Sequence, residues 1–303
     1  METKELQKRI RQLVKEKNAI LLAHNYQRPE VQDVADLCGD SLELSMKASR
    51  TDADVIIFCG VHFMAETASI LCPDKKVILP VRDAGCPMAD MINEGQLREK
   101  KGEMPDAVVV SYVNTTAAVK AESDICCTSA NALKVASSID PSKPIYMIPD
   151  RNLARYTKEY LGRENVSWWN GYCPIHDGLQ VEQVKRVKRE HPDAIFIAHP
   201  ECRTDVLRLA DAIKSTSGMI RYAMESGHKK FIIGTETGIL HPLKKANPEK
   251  IFIPADPDMI CHDMKKTSLL DILTALERLE PEIKVPEEIR RKAISAVERM
   301  LSI

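Results

Sequence analysis

The stretch Ala194–His199, AIFIAH, decides the fold because versions of it occur three times in the chain. Ala19–His24 reads AILLAH and Ala107–Tyr112 reads AVVVSY, and the last residues of the three runs lie 88 and 87 positions apart. Self-similarity at a fixed period is typical of a chain built from copies of one structural unit. We therefore interpret the 303-residue sequence as a triplication.

Three further sets of residues keep the same spacing to within one position. They are Asp36, Asp124 and Asp211, then Ser41, Ser129 and Thr216, and finally Cys86, Cys173 and Cys261. Each hydroxyl residue precedes a helix-like stretch, so we expect it to cap the amino end of a helix. The recurrence every 87 or 88 residues predicts three repeats with the boundaries 1–104, 105–192 and 193–303. The first has an added N-terminal helix and the third an added C-terminal helix.

The second copy shows the expected architecture of one repeat most clearly. The short apolar runs Val108–Tyr112, Ile145–Ile148 and Val166–Trp169 predict three strands, and helical spacing separates them. His176–Glu190 reads as one charged amphipathic helix after the last strand. Strands alternating with helices predict a parallel sheet covered on both faces. The fold class is therefore α/β, with three homologous three-layer αβα domains around a pseudo-threefold axis and a central active site.

Composition excludes some classes of partner. Lys plus Arg is 43 and Asp plus Glu is 44, for a net charge of −1, so no overall field favours nucleic acid. No apolar run reaches the roughly 20 residues that a membrane-spanning helix needs. Met1–Lys17 is a charged amphipathic pattern without the apolar core of a signal peptide. We expect a cytoplasmic protein with neither a membrane nor a nucleic-acid partner.

Nine cysteines without a secretory signal argue for buried or metal-bound thiols over a disulfide framework. Six of them lie in or beside apolar stretches and are interpreted as core residues: Cys38, Cys59, Cys72, Cys126, Cys127 and Cys202. The three in phase follow their strands in loops, and symmetry would bring them to one point. Three thiolates suit either one zinc ion with an open position or a [4Fe-4S] cluster with one iron lacking a protein ligand.

Polar residues follow the strands at the edge where ligands gather in open parallel sheets. In chain order they are His24, Tyr26, Tyr112, Asn114, His199 and Glu201. Because the cysteines follow strands too, we expect all of these groups to line one central cleft. Arg151 and Glu236 occupy comparable strand ends, where ion pairs between repeats are as consistent with the sequence as ligand contacts are.

The sequence resembles the quinolinate synthases, the A proteins of NAD biosynthesis, along nearly its whole length. The resemblance rests on His24-Asn25-Tyr26, Gly39-Asp40-Ser41, Ser111-Tyr112-Val113-Asn114-Thr115, Gly171-Tyr172-Cys173-Pro174-Ile175-His176, His199-Pro200-Glu201-Cys202 and Gly234-Thr235-Glu236. Members of the family condense iminoaspartate with dihydroxyacetone phosphate to quinolinate, with loss of phosphate and two waters. The open iron of a [4Fe-4S] cluster acts as the Lewis acid.

The resemblance implies roles for particular residues. Cys86, Cys173 and Cys261 would hold one cluster per chain. Glu201 would be the general acid or base, with Tyr26 and His176 as further proton-transfer groups. The residues implied in substrate binding are His24, Ser41, Tyr112, Val113, Asn114, Ser129, His199, Pro200, Glu201 and Thr216. The enzyme that supplies iminoaspartate is a candidate partner.

Two rival classes stay open at this point. A non-catalytic iron–sulfur sensor would use the same three cysteines but would not need His24, Tyr112, Asn114, His199 and Glu201 in phase around them. A zinc hydrolase would need only the metal and a base. Metal analysis after anaerobic purification separates the three interpretations.

Overall fold

Three parallel four-stranded sheets form the framework of the protein. The structure is a computed structural model that describes residues 2–303; Met1, the first residue of the predicted first repeat, lies outside this range. The strands are β1 (Ala19–His24), β2 (Leu37–Gly39), β3 (Val55–Cys59), β4 (Lys76–Ile78), β5 (Val108–Tyr112), β6 (Ile125–Cys127), β7 (Ile145–Ile148), β8 (Val166–Trp168), β9 (Ile195–Ala198), β10 (Ala212–Ile213), β11 (Lys230–Gly234) and β12 (Ile251–Pro254).

Helices flank each sheet. They are α1 (Thr3–Glu16), α2 (Pro29–Val34), α3 (Ser41–Arg50), α4 (His62–Leu71), α5 (Glu94–Glu103), α6 (Ala117–Ala121), α7 (Ala132–Ser138), α8 (Arg151–Leu161), α9 (Pro174–Asp177), α10 (Val181–Glu190), α11 (Thr204–Leu207), α12 (Thr216–Glu225), α13 (Leu240–Ala246), α14 (Leu269–Arg278) and α15 (Glu287–Leu301). Three short 3₁₀ turns lie at Ala89–Met91, Thr237–Ile239 and Asp263–Lys265. The predicted three-layer αβα class is confirmed.

The three sheets have one topology, which confirms the triplication. Their strand orders are β2-β1-β3-β4, β6-β5-β7-β8 and β10-β9-β11-β12, with every neighbouring pair parallel. The central strands are buried on both faces, as expected of continuous apolar runs in a parallel sheet.

The in-phase aspartates make the same contact in each repeat. Asp36 Oδ2 accepts a hydrogen bond from Leu21 N, Asp124 Oδ2 from Val109 N and Asp211 Oδ2 from Phe196 N, each at 2.8 Å. Each carboxylate thus holds the start of an edge strand (β2, β6 or β10) against the central strand beside it. The spacing of 88 and 87 residues therefore has a structural cause, because one aspartate fixes the same strand connection three times.

The expectation of three strands per repeat is wrong. Each sheet has a fourth, edge strand, and these are the short elements β2, β6 and β10. They contain three, three and two residues. A segment of this length is too short to show the alternation by which a strand is identified from sequence.

Two local predictions about helices are also wrong. The expected single helix from His176 to Glu190 is α9 and α10, separated by Gly178–Gln180. The expected caps are displaced, because Asp40 caps α3 and Ser215 caps α12, which makes Ser41 and Thr216 the first helical residues. Ser129 lies two positions before Asn131, the N-cap residue of α7.

One long helix after each cysteine loop packs on the next repeat: α5 after Cys86, α10 after Cys173 and α14 after Cys261. Leu97 of α5 joins a core cluster with Val109 of β5, and Val184 of α10 joins one with Phe196 of β9. Leu276 of α14 joins the cluster that contains Leu21 of β1. The third repeat is therefore joined back to the first, and the three repeats close into a ring.

The last helix does not pack on the sheet of its own predicted repeat. α15 contacts α4, α6 and β6, so it lies between the first and second repeats. The boundaries 1–104, 105–192 and 193–303 stay a prediction about where independent units would begin and end. None of the helices within residues 2–303 combines the length and the apolar character needed to cross a bilayer.

Loss of the ring contact should destabilise the whole protein. Leu276 is fully buried between α14 and the first repeat, so we expect Leu276→Ala to lower the free energy of unfolding by about 2–5 kcal/mol. Leu270 on the same helix is 61% exposed, and Leu270→Ala should change it by about 0.5 kcal/mol or less. Chemical denaturation of both variants checks this, and equal losses would contradict the ring contact.

Candidate functional site

A central cavity is lined by side chains from all three repeats. Its volume is about 80 Å³, several times the minimum that holds one water molecule. Thirteen of the fifteen residues predicted for the site line it: His24, Tyr26, Ser41, Cys86, Tyr112, Asn114, Ser129, Cys173, His176, His199, Glu201, Thr216 and Cys261. The expectation that strand ends from three repeats meet at one place therefore agrees with the geometry, whereas the role of each residue stays a prediction.

Glu201 lies at the centre of a hydrogen-bonded group in this cavity. Its side chain is buried, with one oxygen 2.8 Å from His176 Nδ1 and the other accepting a hydrogen bond from the Tyr112 hydroxyl. Burial alone would raise the pKa of Glu201, but His176, His199 and the Tyr112 hydrogen bond together hold this pKa well below its ordinary value. Glu201 is therefore an ionised carboxylate held by partners from the second and third repeats.

Thr235 connects this group to Tyr26. Its hydroxyl lies 2.8 Å from His176 Nε2 and 2.5 Å from the Tyr26 hydroxyl. Together with the Glu201 contacts this gives a continuous hydrogen-bonded chain from Tyr26 through Thr235, His176 and Glu201 to Tyr112. Such a chain can hold or move a proton across the cavity.

Two histidines on the cavity wall are neutral and share one local turn. His24 Nδ1 accepts a hydrogen bond from Tyr26 N at 3.2 Å, and His199 Nδ1 accepts one from Glu201 N at 3.4 Å. Burial lowers the pKa of both imidazoles to about 3. A neutral ring that accepts at Nδ1 carries its proton on Nε2, so His199 donates to Ser129 Oγ at 3.2 Å.

Both tyrosines of the site are protonated. Burial, followed by the nearby charge of Glu201, raises the pKa of Tyr26 and of Tyr112 well above the ordinary value. Each hydroxyl therefore has a proton to donate at neutral pH. They lie at the two ends of the hydrogen-bonded chain through Thr235, His176 and Glu201, where the single hydroxyl proton of Tyr112 is donated to Glu201.

Carboxylates fix the backbone of the three cysteine loops. Asp150 Oδ2 accepts from Cys173 N at 3.1 Å and Glu236 Oε1 accepts from Cys261 N at 3.2 Å. Near Cys86, the amide of Gly85 donates to Asp263 Oδ1 at 3.2 Å, which ties the first loop to the third repeat. The three loops are thereby held where their cysteines line the same cavity.

The donor set of this cavity fits a bound metal centre. Each of the three cysteines is a free thiol, and burial raises the pKa of Cys86 to about 12 and raises those of Cys173 and Cys261 as well. A metal cation bound in the cavity would lower these thiol pKa values, because metal binding releases the thiol protons. Soft thiolate ligands suit zinc and iron–sulfur clusters. The donor set therefore fits either group.

A tighter group of potential ligands lies at one side of the cavity. The ligand atoms of Cys173, His176 and Glu201 all lie within 4.8 Å of one another, and His176 Nδ1 is 3.2 Å from Cys173 Sγ. A sulfur, a ring nitrogen and a carboxylate oxygen form a donor set that a single zinc ion accepts. The geometry thus offers a mononuclear site beside the three-cysteine site.

Other polar groups that line the cavity are placed to hold a ligand. Ser41 and Thr216 begin α3 and α12, whose amino ends favour anions. Asn114 Oδ1 is buried and has no hydrogen-bond partner among residues 2–303. A ligand group that donates to this oxygen would satisfy it.

Two residues predicted to bind substrate do not line the cavity. Val113 is buried and its amide already donates to Cys127 O, and Pro200 is buried and has no amide hydrogen. Their predicted contacts are untested. The six cysteines assigned to the core lie outside the cavity lining.

The sequence motif Gly234-Thr235-Glu236 was recognised, but Thr235 was given no role and Glu236 was left unassigned. Both follow β11, the position at which other site residues were found, and this strand end was the available signal. Glu236 pairs with Lys265 at 2.9 Å and Arg151 with Asp177 at 3.0 Å. Both pairs join residues of one predicted repeat, so the alternative of ion pairs between repeats is wrong.

The comparisons with known proteins agree in one family. The family model described as quinolinate synthetase A protein matches residues 8–302. Proteins named quinolinate synthase are similar to this chain. One from Geobacter sp. (strain M21) is 56% identical over 97% of this chain and 96% of its own length. One from Thermodesulfovibrio yellowstonii is 54% identical, covering 96% of both chains, and one from Methanosarcina barkeri is 52% identical over 100% of this chain and 99% of its own.

Proposed function

This chain belongs to the quinolinate synthetase A family, and we propose that it condenses iminoaspartate with dihydroxyacetone phosphate to quinolinate in NAD biosynthesis. The reaction releases one phosphate and two waters. The observation that carries the proposal is the central cavity, where three cysteines meet a buried carboxylate, two neutral histidines and two protonated tyrosines. The two substrates and the enzyme that supplies iminoaspartate are the proposed partners, and the cytoplasm is the proposed location.

We assign Cys86, Cys173 and Cys261 as the ligands of one [4Fe-4S] cluster. Three thiolates leave one iron without a protein ligand, and this iron would supply Lewis-acid chemistry toward a substrate oxygen. The carboxylates of Asp150, Glu236 and Asp263 support the assignment because they fix the loops that carry the ligands.

The chain's own residues would bind the two anionic substrates. The amino ends of α3 and α12, with Ser41 and Thr216, favour phosphate or carboxylate oxygens. Ser129 lies on the same cavity and is oriented by the neutral His199. The neutral His24 is a second imidazole donor, and the free Oδ1 of Asn114 would accept from a hydroxyl or an imine of the substrate.

Proton transfer would use the hydrogen-bonded chain around Glu201. Carbon–carbon bond formation needs removal of a proton, and loss of each water needs delivery of one. Glu201 is an ionised carboxylate that can accept the first proton, and His176 and Tyr112 contact its two oxygens. Tyr26 is the donor at the far end of the chain through Thr235.

A zinc hydrolase is the second candidate because Cys173, His176 and Glu201 form a compact group of ligand atoms. Anaerobic purification and metal analysis distinguish the candidates. About four irons and four sulfides per chain, with a spectrum that shifts on addition of quinolinate, support the synthase. A colourless protein with one zinc supports the hydrolase, and a coloured protein inert toward dihydroxyacetone phosphate supports a sensor.

Each cluster cysteine should be needed for iron. We expect Cys86→Ala, Cys173→Ala and Cys261→Ala each to lose the bound iron, because an incomplete set of thiolates cannot hold the cluster. Cys127→Ala is the matched control, since Cys127 is a buried free thiol in the core outside the cavity. Iron and sulfide content of the four anaerobically purified variants is the measurement, and equal iron in all four would refute the assignment.

Glu201→Gln should separate catalysis from cluster binding. The amide keeps the size of the side chain but cannot accept a proton, so we expect turnover to fall by about 10²–10⁴-fold. Iron content should equal that of the wild type because no thiolate is removed. Quinolinate formation and iron are measured on the same preparation, and undiminished turnover would exclude the role.

The hydroxyl of Thr235 should be needed for the proton path. Valine has the same shape without the hydroxyl, so Thr235→Val removes the bridge and leaves only the long 3.5 Å contact between the Tyr26 hydroxyl and His176 Nε2. We expect kcat to fall by about 10²-fold. Thr235→Ser keeps the hydroxyl and should restore most of the rate. Steady-state kinetics measure kcat and KM separately, and equal rates for the two variants would argue against the link.

A further inference from the structure

A second, positively charged cavity lies outside the central site. Its volume is about 440 Å³, and it is formed between α8 of the second repeat and the segment around α11 of the third. Four arginines line it: Arg151, Arg155, Arg203 and Arg208. None of them belongs to the hydrogen-bonded chain around Glu201, and the proposed function assigns this cavity no role.

Two of the four guanidinium groups are already neutralised. Arg151 donates two hydrogen bonds to Asp177, at 3.0 and 3.1 Å, and Arg203 pairs with Asp205 at 2.5 Å. In the part of the chain that the structure describes, no carboxylate oxygen lies within 4.0 Å of a guanidinium nitrogen of Arg155 or Arg208. Two guanidinium groups without anionic partners therefore border the cavity, Arg155 from the second repeat and Arg208 from the third.

Aromatic faces hold the arginines of α8 in place. Arg155 lies over the ring of Trp168, 5.5 Å from its centroid, and Arg151 lies over the ring of Tyr172 at 4.3 Å. Such stacking restricts a guanidinium without using its hydrogen-bond donors. Arg155 is thereby pre-organised to receive an anion.

The cavity also has acceptors. Asn152 is 1% exposed and lines the cavity, and its Oδ1 has no hydrogen-bond partner among residues 2–303. The orientation of its amide is fixed, because Nδ2 donates to Asp177 Oδ1 at 2.9 Å and to Glu201 O at 3.0 Å. Glu159 adds an exposed carboxylate at the rim. A ligand that satisfies these groups must donate hydrogen bonds.

We propose that this cavity is a second binding site, which takes a phosphate monoester that also carries hydroxyl groups, such as a sugar phosphate. The phosphate would bridge Arg155 and Arg208, because a guanidinium fork matches phosphate oxygens. The hydroxyls would donate to Asn152 Oδ1 and Glu159. Since Asn152 also holds the backbone of Glu201, the bound molecule would contact the central site through one side chain.

Calorimetric titration with ribose 5-phosphate tests the proposal, with ribose and inorganic phosphate as comparison probes. The full-length protein, as purified anaerobically with whatever metal it retains, is kept in saturating quinolinate so that the probe cannot enter the central cavity. We expect the Arg155→Met, Arg208→Met double variant to bind ribose 5-phosphate about tenfold more weakly, or worse, because charge-assisted hydrogen bonds are lost. Ribose alone should give no measurable heat.

The matched control is the double variant Arg186→Met, Arg189→Met, which removes the same charge from the exposed face of α10. It should bind like the wild type. Arg208→Met alone, at an exposed position, serves as the second variant if the double variant does not fold. Equal affinity of the wild type and the Arg155, Arg208 variants, or no binding to the wild type at millimolar probe, would overturn the site.

Equal affinity for phosphate and ribose 5-phosphate would overturn the part of the proposal that concerns hydroxyl groups. The outcome does not depend on the proposed function, because the readout is heat of binding. If quinolinate fails to occupy the central cavity, any binding there is common to the wild type and the variants and cancels in the comparison.

Discussion

The structure depends on the packing of three long helices, one after each cysteine loop, against the next repeat. Apolar side chains of α5, α10 and α14, such as Leu97, Val184 and Leu276, are buried in core clusters that also contain residues of β5, β9 and β1. Burial of such side chains is the dominant favourable contribution to folding. Because a cysteine loop precedes each of these helices, each loop is held between two repeats. Ring closure and convergence of the cysteines therefore have one cause.

Because the strand ends of the three repeats converge, the polar groups at the centre of the ring must find partners. The strand ends bring carboxylate, imidazole, phenol and thiol groups into one buried place, where an unpaired polar group is costly. Most of them are satisfied by one another, as Glu201 is by His176 and Tyr112. The thiols remain protonated by burial, so a metal centre would supply the charge that the protein itself does not.

The sequence predicted most features that recur in phase and missed two kinds of feature: strands of two or three residues, and a functional residue that occurs once. The long strands and the in-phase aspartates, hydroxyl residues and cysteines were found because three copies repeat them. The strands β2, β6 and β10 were missed because two or three residues show no periodicity. Thr235 was given no role for another reason. The residues after the equivalent strands β3 and β7 are Gly60 and Pro149, so no copy of its hydroxyl recurs in phase.

Departures from symmetry make the site chemically specific. The first and third repeats keep a histidine whose Nδ1 accepts the amide two positions on, in His24 and His199. The second repeat has Tyr112 at that position, and its hydroxyl reaches Glu201 of the third. A threefold-symmetric cavity would present three identical walls, which suit a symmetric ligand. Divergence of single residues on a repeated scaffold instead gives three unlike walls, with His24 and Tyr26 on the first, Tyr112 on the second, and His199 and Glu201 on the third. The two unlike substrates of the proposed reaction would be distinguished and aligned by walls that differ in this way.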